Sequence, residues 1–346
     1  MTDATGSPIR VLIVNDSPTS RLALRLALAS EPSMRVVGEA ATGAEAVAFV
    51  TRDGAQEVDV ILMDVVMPEL DGYGATRAIM QVKPTAILLV SAVVSPRDAD
   101  VALEALRAGA LAVVELLPAP HEASFEVRRQ GLLALVRSAA KARLRRLGTA
   151  ASPATAAPAR PGKKPPYEVC GIVASAGGPP VLIDVLSRVP PTFPPILVVQ
   201  HLGRGFLESF ARWIHSTTGK TTEIAQAGVP LARDTVYLPQ ENLHLGVDER
   251  RRILTSSAPP VDGFRPSGTF LLRSLAAAYG PAALGIILTG MGRDGASGAS
   301  LLRAAGGTVL VQHEEDCVVF GMPRAALELG AADEALAPIA MAPWIR

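Results

Sequence analysis

Cysteine and net charge are both scarce in this chain of 346 residues. Its two cysteines, Cys170 and Cys317, are too few and too far apart for a disulfide framework or a zinc site, so we expect both to be reduced core residues. Lys and Arg together number 33, as do Asp and Glu, and the formal net charge is +0. Because no global field favours a polyanion, we expect no nucleic-acid partner.

A leader segment and long apolar runs are also missing. The N-terminal stretch MTDATGSPIR lacks a basic and apolar leader, and no segment approaches the roughly 18 consecutive apolar residues of a membrane-spanning helix. We therefore expect a cytoplasmic protein that is not embedded in a membrane.

The first half of the chain alternates short apolar runs with helical segments. We expect strands at IRVLIV, RVVGEA, VDVILMD, AILLVS and LAVVEL. Five strands alternating with helices predict a doubly wound, five-stranded parallel sheet, which the basic helix FEVRRQGLLALVRSAAKARLRRLG would close. We expect this domain to span residues 1–147, and a Pro- and Ala-rich linker to follow over residues 148–166.

The second half, residues 167–346, predicts another mainly parallel α/β domain. Strands are expected at EVCGIVAS, PILVVQH, ALGIILTG and TVLVQ, and the short runs TEIAQAG, DTVYLP, HLGVD and RILTS indicate an antiparallel insert. In RPSGTFLLRSLAAAYG, Ser267 is placed as the N-cap of a helix and Gly280 as its C-terminal stop.

Acidic and hydroxyl side chains follow three strands of the first half. Asp16 follows the first strand, Asp64 ends the third and Ser91 ends the fourth. Because parallel strands share one carboxyl edge, Asp16 and Asp64 can converge on a hard cation such as Mg²⁺. The alternative is that these carboxylates only cap the helices that follow them.

The first half resembles a response-regulator receiver domain over roughly residues 9–120. The resemblance implies that Asp64 is the phosphoacceptor, that Asp16 and the carbonyl after it bind Mg²⁺, and that Ser91 contacts the phosphoryl group. Two positions depart from the pattern. Asn15 replaces a second acidic residue, and Leu117 stands where a lysine is expected, which puts phosphorylation in doubt. The Lys-Pro pair at residues 83–84 precedes the fourth strand and cannot replace that lysine.

Three residue types of a hydrolytic triad follow strands of the second half. Ser175 follows EVCGIVA, His201 ends PILVVQH, and Asp294 lies in the turn after LGIILTG. At one sheet edge they would supply a nucleophile, its base and the carboxylate that orients the base. The glycine-rich turns would aim backbone N–H groups at a developing oxyanion; their candidate pocket residues are Ala176, Gly177, Gly178, Met291 and Gly292. Singly, each triad residue is as easily explained as a turn residue or a buried histidine.

The second half resembles the catalytic domain of chemotaxis protein-glutamate methylesterases of the CheB family. The matching stretches are ASAGGP, VVQHL, VYLPQENLHLGV, FRPSGTFLLRS, GIILTGMGRDGASG and FGMPRAA. The resemblance implies hydrolysis of glutamate methyl esters, and deamidation of glutamines, on chemoreceptor cytoplasmic helices, without a cofactor for the esterase. It implies that Ser175 is the nucleophile, His201 the base and Asp294 its partner. Ala176 replaces the usual threonine, and we expect His215, His244 and His313 to be non-catalytic.

Two functions compete at this point. One is a serine esterase and amidase that acts on methylated chemoreceptors, is regulated or masked by its receiver domain, and pairs with a chemotaxis-type histidine kinase. The other is a catalytically silent scaffold for receptor arrays or another signalling partner, with a degenerate receiver that Leu117 and Asn15 motivate. An active esterase with an unresponsive receiver combines the two. Because Ser175, His201 and Asp294 are all present, we favour the enzyme.

Overall fold

The computed structural model describes residues 7–52, 57–91, 96–119, 121–122, 125–141 and 166–346, with the backbone alone at residues 96–98. The chain divides into two compact units, Met1–Ser152 and Pro153–Arg346. Within the described ranges, no helix is both long and apolar enough to cross a membrane. The predicted linker at residues 148–166 and the end of the predicted basic helix fall mostly at residues 142–165, outside the described part.

The first unit is built on one five-stranded sheet in the order β2-β1-β3-β4-β5, in which every pairing is parallel. The predicted doubly wound sheet is thereby confirmed. Its strands are β1 (Ile9–Val14), β2 (Met34–Ala40), β3 (Val60–Asp64), β4 (Ala86–Ser91) and β5 (Ala112–Glu115). Its helices are α1 (Pro18–Ala29), α2 (Gly43–Thr51), α3 (Gly72–Val82), α4 (Pro96–Arg107) and α5 (Phe125–Ala139).

The register of this sheet brings polar residues to one edge. Val14 of β1 lies opposite Met63, and Asp64 lies opposite Val90, so the carboxyl ends of β1, β3 and β4 are level. The central strands β1, β3 and β4 are mostly buried because helices cover both faces of a doubly wound sheet, while the edge strands β2 and β5 are largely half-buried. Helices α1 to α3 begin at N-caps whose side chains accept a backbone N–H, namely Ser17, Thr42 and Asp71.

The second unit is built on a seven-stranded sheet in the order β14-β13-β12-β6-β7-β9-β8. All its pairings are parallel. Its strands are β6 (Val169–Ala174), β7 (Ile196–Gln200), β8 (Thr221–Ile224), β9 (Thr235–Leu238), β12 (Ala283–Ile287), β13 (Thr308–Gln312) and β14 (Glu334–Leu336). Its helices are α6 (Gly178–Arg188), α7 (Leu207–Thr218), α8 (Gly268–Tyr279), α9 (Ala296–Ala304), α10 (Met322–Glu328) and α11 (Pro338–Met341).

The middle section of this unit differs from its sequence-based description in one respect. The predicted antiparallel insert is confirmed as a hairpin of β10 (His244–Val247) and β11 (Ile253–Ser256), but β8 and β9 extend the main sheet in parallel. Strands of four residues carry too little periodicity to reveal their partners. The expected caps of α8, Ser267 and Gly280, are confirmed.

Strand order decides where the polar strand ends of this unit meet. Strand β6 lies between β12 and β7, with Val173 opposite Ile287 and Ala174 opposite Gln200. The turns that follow these three strands therefore leave the sheet side by side at its carboxyl edge. That edge is where open α/β sheets bind their ligands.

Candidate active site

Ser175 lies in a tight turn between β6 and α6. Its N–H donates to the Thr289 carbonyl (3.1 Å), and its own carbonyl accepts from the Gly178 N–H (2.8 Å). Gly177 takes a φ of +74°, a left-handed conformation that a residue with a Cβ seldom adopts. The glycine pair thus turns the chain directly from strand to helix and leaves the Ser175 side chain partly exposed.

His201 follows β7, and its N–H donates to the carbonyl of Ala174, the residue before the serine (3.0 Å). Its Nε2 lies 2.9 Å from Asp294 Oδ2, while its buried Nδ1 has no hydrogen-bond partner among the described residues. The ring stacks on Phe264, with centroids 4.1 Å apart and planes within 2° of parallel. The imidazole is therefore held at one nitrogen and one face and keeps one nitrogen unused.

Asp294 is fully buried, and donors surround its carboxylate. Besides His201, Asp294 accepts hydrogen bonds from the Ser267 hydroxyl (2.6 Å), the Gly268 N–H (2.6 Å) and the Thr269 N–H (3.0 Å). Burial alone would raise its pKa, but the bond and charge of His201, followed by the Ser267 and Gly268 donors, bring the pKa below the usual value. Asp294 is thus an ionised carboxylate at the N-terminus of α8.

A glycine brings that helix terminus close to the sheet. A Cβ at Gly268 would lie 2.2 Å from the Val173 Cγ1 atom, so only glycine allows α8 to start against β6. The same close approach places the N–H of Gly268 within reach of Asp294.

The turn after β12 packs directly on the serine. A Cβ at Gly290 would lie 2.7 Å from the Ser175 Cβ, and Gly292 takes a φ of +88°. The N–H groups of Ala176 and Met291 donate to no acceptor in the part of the chain that the structure describes. Unused backbone donors of the described residues therefore lie in both turns, the one after β6 and the one after β12.

The hydroxyl of Ser175 makes no hydrogen bond to the His201 ring within the described ranges, so the structure joins only His201 and Asp294 side chain to side chain. Backbone hydrogen bonds join the chain at Ala174 to His201 and Ser175 to Thr289. Thr289, whose carbonyl accepts from Ser175, also donates its hydroxyl to the Ala176 carbonyl (3.1 Å) and accepts from the Val319 N–H (2.9 Å).

Several residues of this site went unnoticed in the sequence. They are Gln200, Phe264, Ser267, Thr289 and Gln312, whose Oε1 accepts from the Thr289 N–H at 2.7 Å. Their common signal is weak: Gln200, Thr289 and Gln312 are the first polar residues after buried apolar runs. Ser267 was identified from the sequence only as a helix cap.

The three histidines that were predicted to be non-catalytic make hydrogen bonds outside this site. His215 Nδ1 pairs with the Lys220 carbonyl (3.0 Å) at the surface. His244 is buried in β10, where its Nε2 pairs with the Pro259 carbonyl (3.1 Å). The His313 ring accepts from the Glu315 N–H (3.4 Å). None of these three bonds involves Ser175, His201 or Asp294.

The acidic pocket of the first unit gathers around Asp64. The Asn15 amide donates to Asp64 Oδ2 (2.6 Å), and the Val65 N–H donates to Oδ1 (2.7 Å). Burial, aided by the nearby charge of Asp16, raises the pKa of Asp64 to about 6, although the N–H groups of Val65 and Val66 act against the rise. Asn15 thus supplies a neutral donor where a second carboxylate would repel.

The remaining pocket residues differ in exposure. Asp16 is exposed, while Ser91 and Leu117 are buried residues at 5% and 7% exposure. Lys83 donates to the Val50 carbonyl (3.4 Å), away from this edge. Two nearby carboxylates suit Mg²⁺, which binds through one or two of them and keeps several waters. Among the described residues, no group of three or more His, Cys, Asp or Glu forms a larger metal site.

Comparison with known proteins covers both units. The family described as CheB methylesterase matches residues 170–345, and the family described as response regulator receiver domain matches residues 11–115. The chain is 42% identical over 344 residues to protein-glutamate methylesterase/protein-glutamine glutaminase 3 of Anaeromyxobacter dehalogenans (strain 2CP-C), a match that covers 98% of this chain and 99% of the relative. It is 40% identical over 343 residues to protein-glutamate methylesterase/protein-glutamine glutaminase 4 of Myxococcus xanthus (strain DK1622), with 96% and 94% covered.

A solved structure is similar to the second unit. The crystal structure of the Thermotoga maritima CheB methylesterase catalytic domain is 33% identical and covers 51% of this chain and 95% of that chain, with a TM-score of 0.49. The near-complete match to relatives at 40% and 42% identity, together with the two family matches, confirms the resemblance drawn from the sequence motifs. The chain belongs to the CheB methylesterase family, with a response regulator receiver domain ahead of the methylesterase domain.

Proposed function

We propose that this protein hydrolyses glutamate methyl esters on the cytoplasmic helices of chemoreceptors, with Ser175 as nucleophile, His201 as base and Asp294 as the group that orients the base. One observation carries the assignment. The His201 ring is bonded through Nε2 to the buried Asp294 carboxylate, and Nδ1 is left unpaired; the His201 N–H donates to the carbonyl of Ala174, the residue before the serine. Nδ1 is therefore the proton acceptor.

The reaction follows from these positions. The Ser175 Oγ attacks the ester carbonyl carbon while Nδ1 of His201 takes the hydroxyl proton, and the resulting imidazolium is stabilised by Asp294. When the tetrahedral intermediate collapses, the carbon–oxygen bond to the methoxy group breaks and His201 gives the proton to departing methanol. Water, deprotonated by the same nitrogen, then attacks the acyl-serine. Collapse breaks the bond to Ser175 Oγ, which takes the proton back from His201, and releases the glutamic acid side chain, which loses its remaining proton to solvent.

The oxyanion that forms in both steps needs preorganised donors. We assign this role to the unused N–H groups of Ala176 and Met291, with Gly177, Gly178 and Gly292 shaping the pocket. One such donor is worth about 10²–10³ in rate. Because the donor at residue 176 is a backbone group, alanine in place of threonine removes a hydroxyl and keeps the N–H.

The same three residues can also hydrolyse an amide. Relatives of this chain are named protein-glutamine glutaminases as well as methylesterases, and deamidation changes only the leaving group from methanol to ammonia. His201 would protonate the departing nitrogen as it does the methoxy oxygen. We therefore propose glutamine deamidation as a second reaction of the one site.

For the receiver we propose residues 1–147, joined by a linker at residues 148–166 to a catalytic domain at residues 167–346. A receiver's partner is a histidine kinase, here of the chemotaxis type. Asp16 and Asp64 would hold Mg²⁺, and Ser91 would face a phosphoryl group on Asp64. When bound, the metal would neutralise phosphoryl oxygens. Leu117 is buried where a lysine would be, so no cation at this position after β5 contacts a phosphoryl group on Asp64. We propose that the esterase therefore acts without control by a phosphodonor.

The test is methanol release from methylated receptor by the full-length protein and by Ser175→Ala, with Ser187→Ala as the matched control. Ser187 lies on α6, where its hydroxyl donates to the Ile183 carbonyl (2.7 Å). We expect release by the wild type and by Ser187→Ala, and none by Ser175→Ala. Release that survives in folded Ser175→Ala would refute the nucleophile, and no release by folded wild type would favour the silent scaffold.

A further inference from the structure

Gln200, the last residue of β7, is a buried side chain that bonds to two groups of the site. Its Nε2 donates to the Ser175 carbonyl (2.9 Å) and to the His201 carbonyl (3.0 Å), and the residue is 5% exposed. The carbonyls belong to the two residues between which the proposed mechanism moves a proton.

The chemistry of these neighbours fixes the orientation of the amide. Two carbonyl oxygens can face only the NH₂ end of Gln200, because its oxygen is an acceptor only. The Oε1 atom is consequently turned away, buried and without a hydrogen-bond partner in the described part of the chain. A Cβ at Gly178 would lie 2.3 Å from Oε1, so the glycine there makes room for the amide.

An unpaired buried acceptor is unfavourable for stability. An apolar side chain would avoid that cost at the end of this buried strand. Gln200 instead connects the Ser175 turn to the His201 turn by two hydrogen bonds. The serine hydroxyl and the His201 ring make no direct hydrogen bond to each other among the described residues, so their separation depends on how the two turns are held. The His201 N–H bond to the Ala174 carbonyl and the two bonds of the Gln200 amide hold them.

We infer that Gln200 is a positioning residue for hydrolysis, which holds the Ser175 turn and the His201 turn in register; the inference rests on the proposed function. Small misplacement of reacting groups costs about 10²-fold in rate. Loss of the amide should therefore lower kcat by about 10- to 100-fold and leave KM nearly unchanged, because the Gln200 side chain is buried and its NH₂ group is bonded to two carbonyls of the protein.

The experiment compares Gln200→Leu and Gln200→Glu with Gln240→Leu in the full-length protein. Gln240 also lies just after a strand, and its Nε2 donates to the Ala225 carbonyl (2.8 Å), so the control loses a similar bond away from Ser175. The measurements are kcat and KM for methanol release, the rate at which a fluorophosphonate labels Ser175, and the thermal unfolding midpoint.

The glutamate variant separates positioning from general stability. A protonated carboxyl can still donate one hydrogen bond to the two carbonyls, whereas a carboxylate can donate none and repels both. We expect the ratio of Gln200→Glu to wild-type kcat to fall as pH rises. If Gln200→Leu does not fold, this ratio decides the question.

Reduced kcat and slower labelling in Gln200→Leu, with Gln240→Leu like the wild type, support the inference. Wild-type kcat and labelling in folded Gln200→Leu, or a pH-independent ratio for Gln200→Glu, overturn it. If the wild type releases no methanol, the proposed function fails by itself; the labelling rates then still decide whether Gln200 positions Ser175.

Discussion

Asp294→Asn is the substitution with the most clearly defined structural consequence. Each oxygen of the Asp294 carboxylate accepts two hydrogen bonds: Oδ1 from Ser267 and Thr269, and Oδ2 from His201 and Gly268. An asparagine cannot keep all four bonds, because its NH₂ group faces one backbone N–H that can only donate, that of Thr269 or that of Gly268. The Ser267 hydroxyl or the other tautomer of His201 can accept from the NH₂ group. One buried bond is lost at about 1–3 kcal/mol, so the unfolding free energy of the second unit should fall by about that amount.

Activity should fall further than stability alone requires. With an amide in place of the carboxylate, the His201 tautomer is no longer fixed and its imidazolium no longer stabilised, which in a serine triad costs up to about 10⁴ in kcat. The assay is methanol release by full-length protein. Unfolding is followed by tryptophan fluorescence, since both tryptophans of the chain, Trp213 and Trp344, lie in the second unit.

The pH dependence gives an independent check. Because the pKa of Asp294 in the folded protein is below its usual value, its stabilising effect is fully present above the unfolded carboxyl pKa of about 4 and is lost as pH falls through the lower, folded pKa. The difference in unfolding free energy between wild type and Asp294→Asn should therefore shrink below about pH 4.

Asp333→Asn is the control. Asp333 accepts the Val309 N–H (2.8 Å) and pairs with Arg303 (3.2 Å), remote from the serine. We expect wild-type kcat and a small loss of stability. If Asp294→Asn matched this control in both kcat and fluorescence midpoint, the role of the buried carboxylate would be refuted.

Three further predictions concern other parts of the chain. Gly290→Ala should lower kcat for methanol release at least about 10-fold, because its Cβ would lie 2.7 Å from the Ser175 Cβ; a wild-type rate would contradict the packing argument. Phe264→Ala should lower kcat about 3- to 10-fold by removing a stacked ring, while Phe264→Tyr should keep the wild-type rate, and a tyrosine variant as slow as alanine would count against stacking. A small phosphodonor with Mg²⁺ should leave the rate of methanol release by the wild type unchanged. In Leu117→Lys the same phosphodonor should label Asp64 detectably. A strong increase in methanol release by the wild type on adding phosphodonor would show that Leu117 does not prevent phosphoryl control.

The sequence predicted the architecture of both units because parallel α/β folds leave a strong local pattern. Buried strands are continuous apolar runs, and the polar residue that ends each run marks the carboxyl edge. Asp64, Ser175 and His201 were found this way. The replacement of the expected lysine by Leu117 was also visible in the sequence, because it concerns only which residue follows the fifth strand.

The sequence left open which side chains pair within the site. Asp294 was expected to orient a histidine, but its second role as the acceptor at the start of α8 depends on Gly268 packing against Val173. Apolar periodicity likewise did not predict that Phe264 stacks on the imidazole or that β8 and β9 join the main sheet.

The physical reason is the range of the interactions. Periodicity and turn composition record whether a residue is buried and where an element ends, which are local properties of the chain. His201 and Asp294 are 93 positions apart, and they meet because β6 lies between β7 and β12. The sequence alone determined the strand ends and the residue types they carry, and the tertiary order of the strands decided which of those residues share a hydrogen bond.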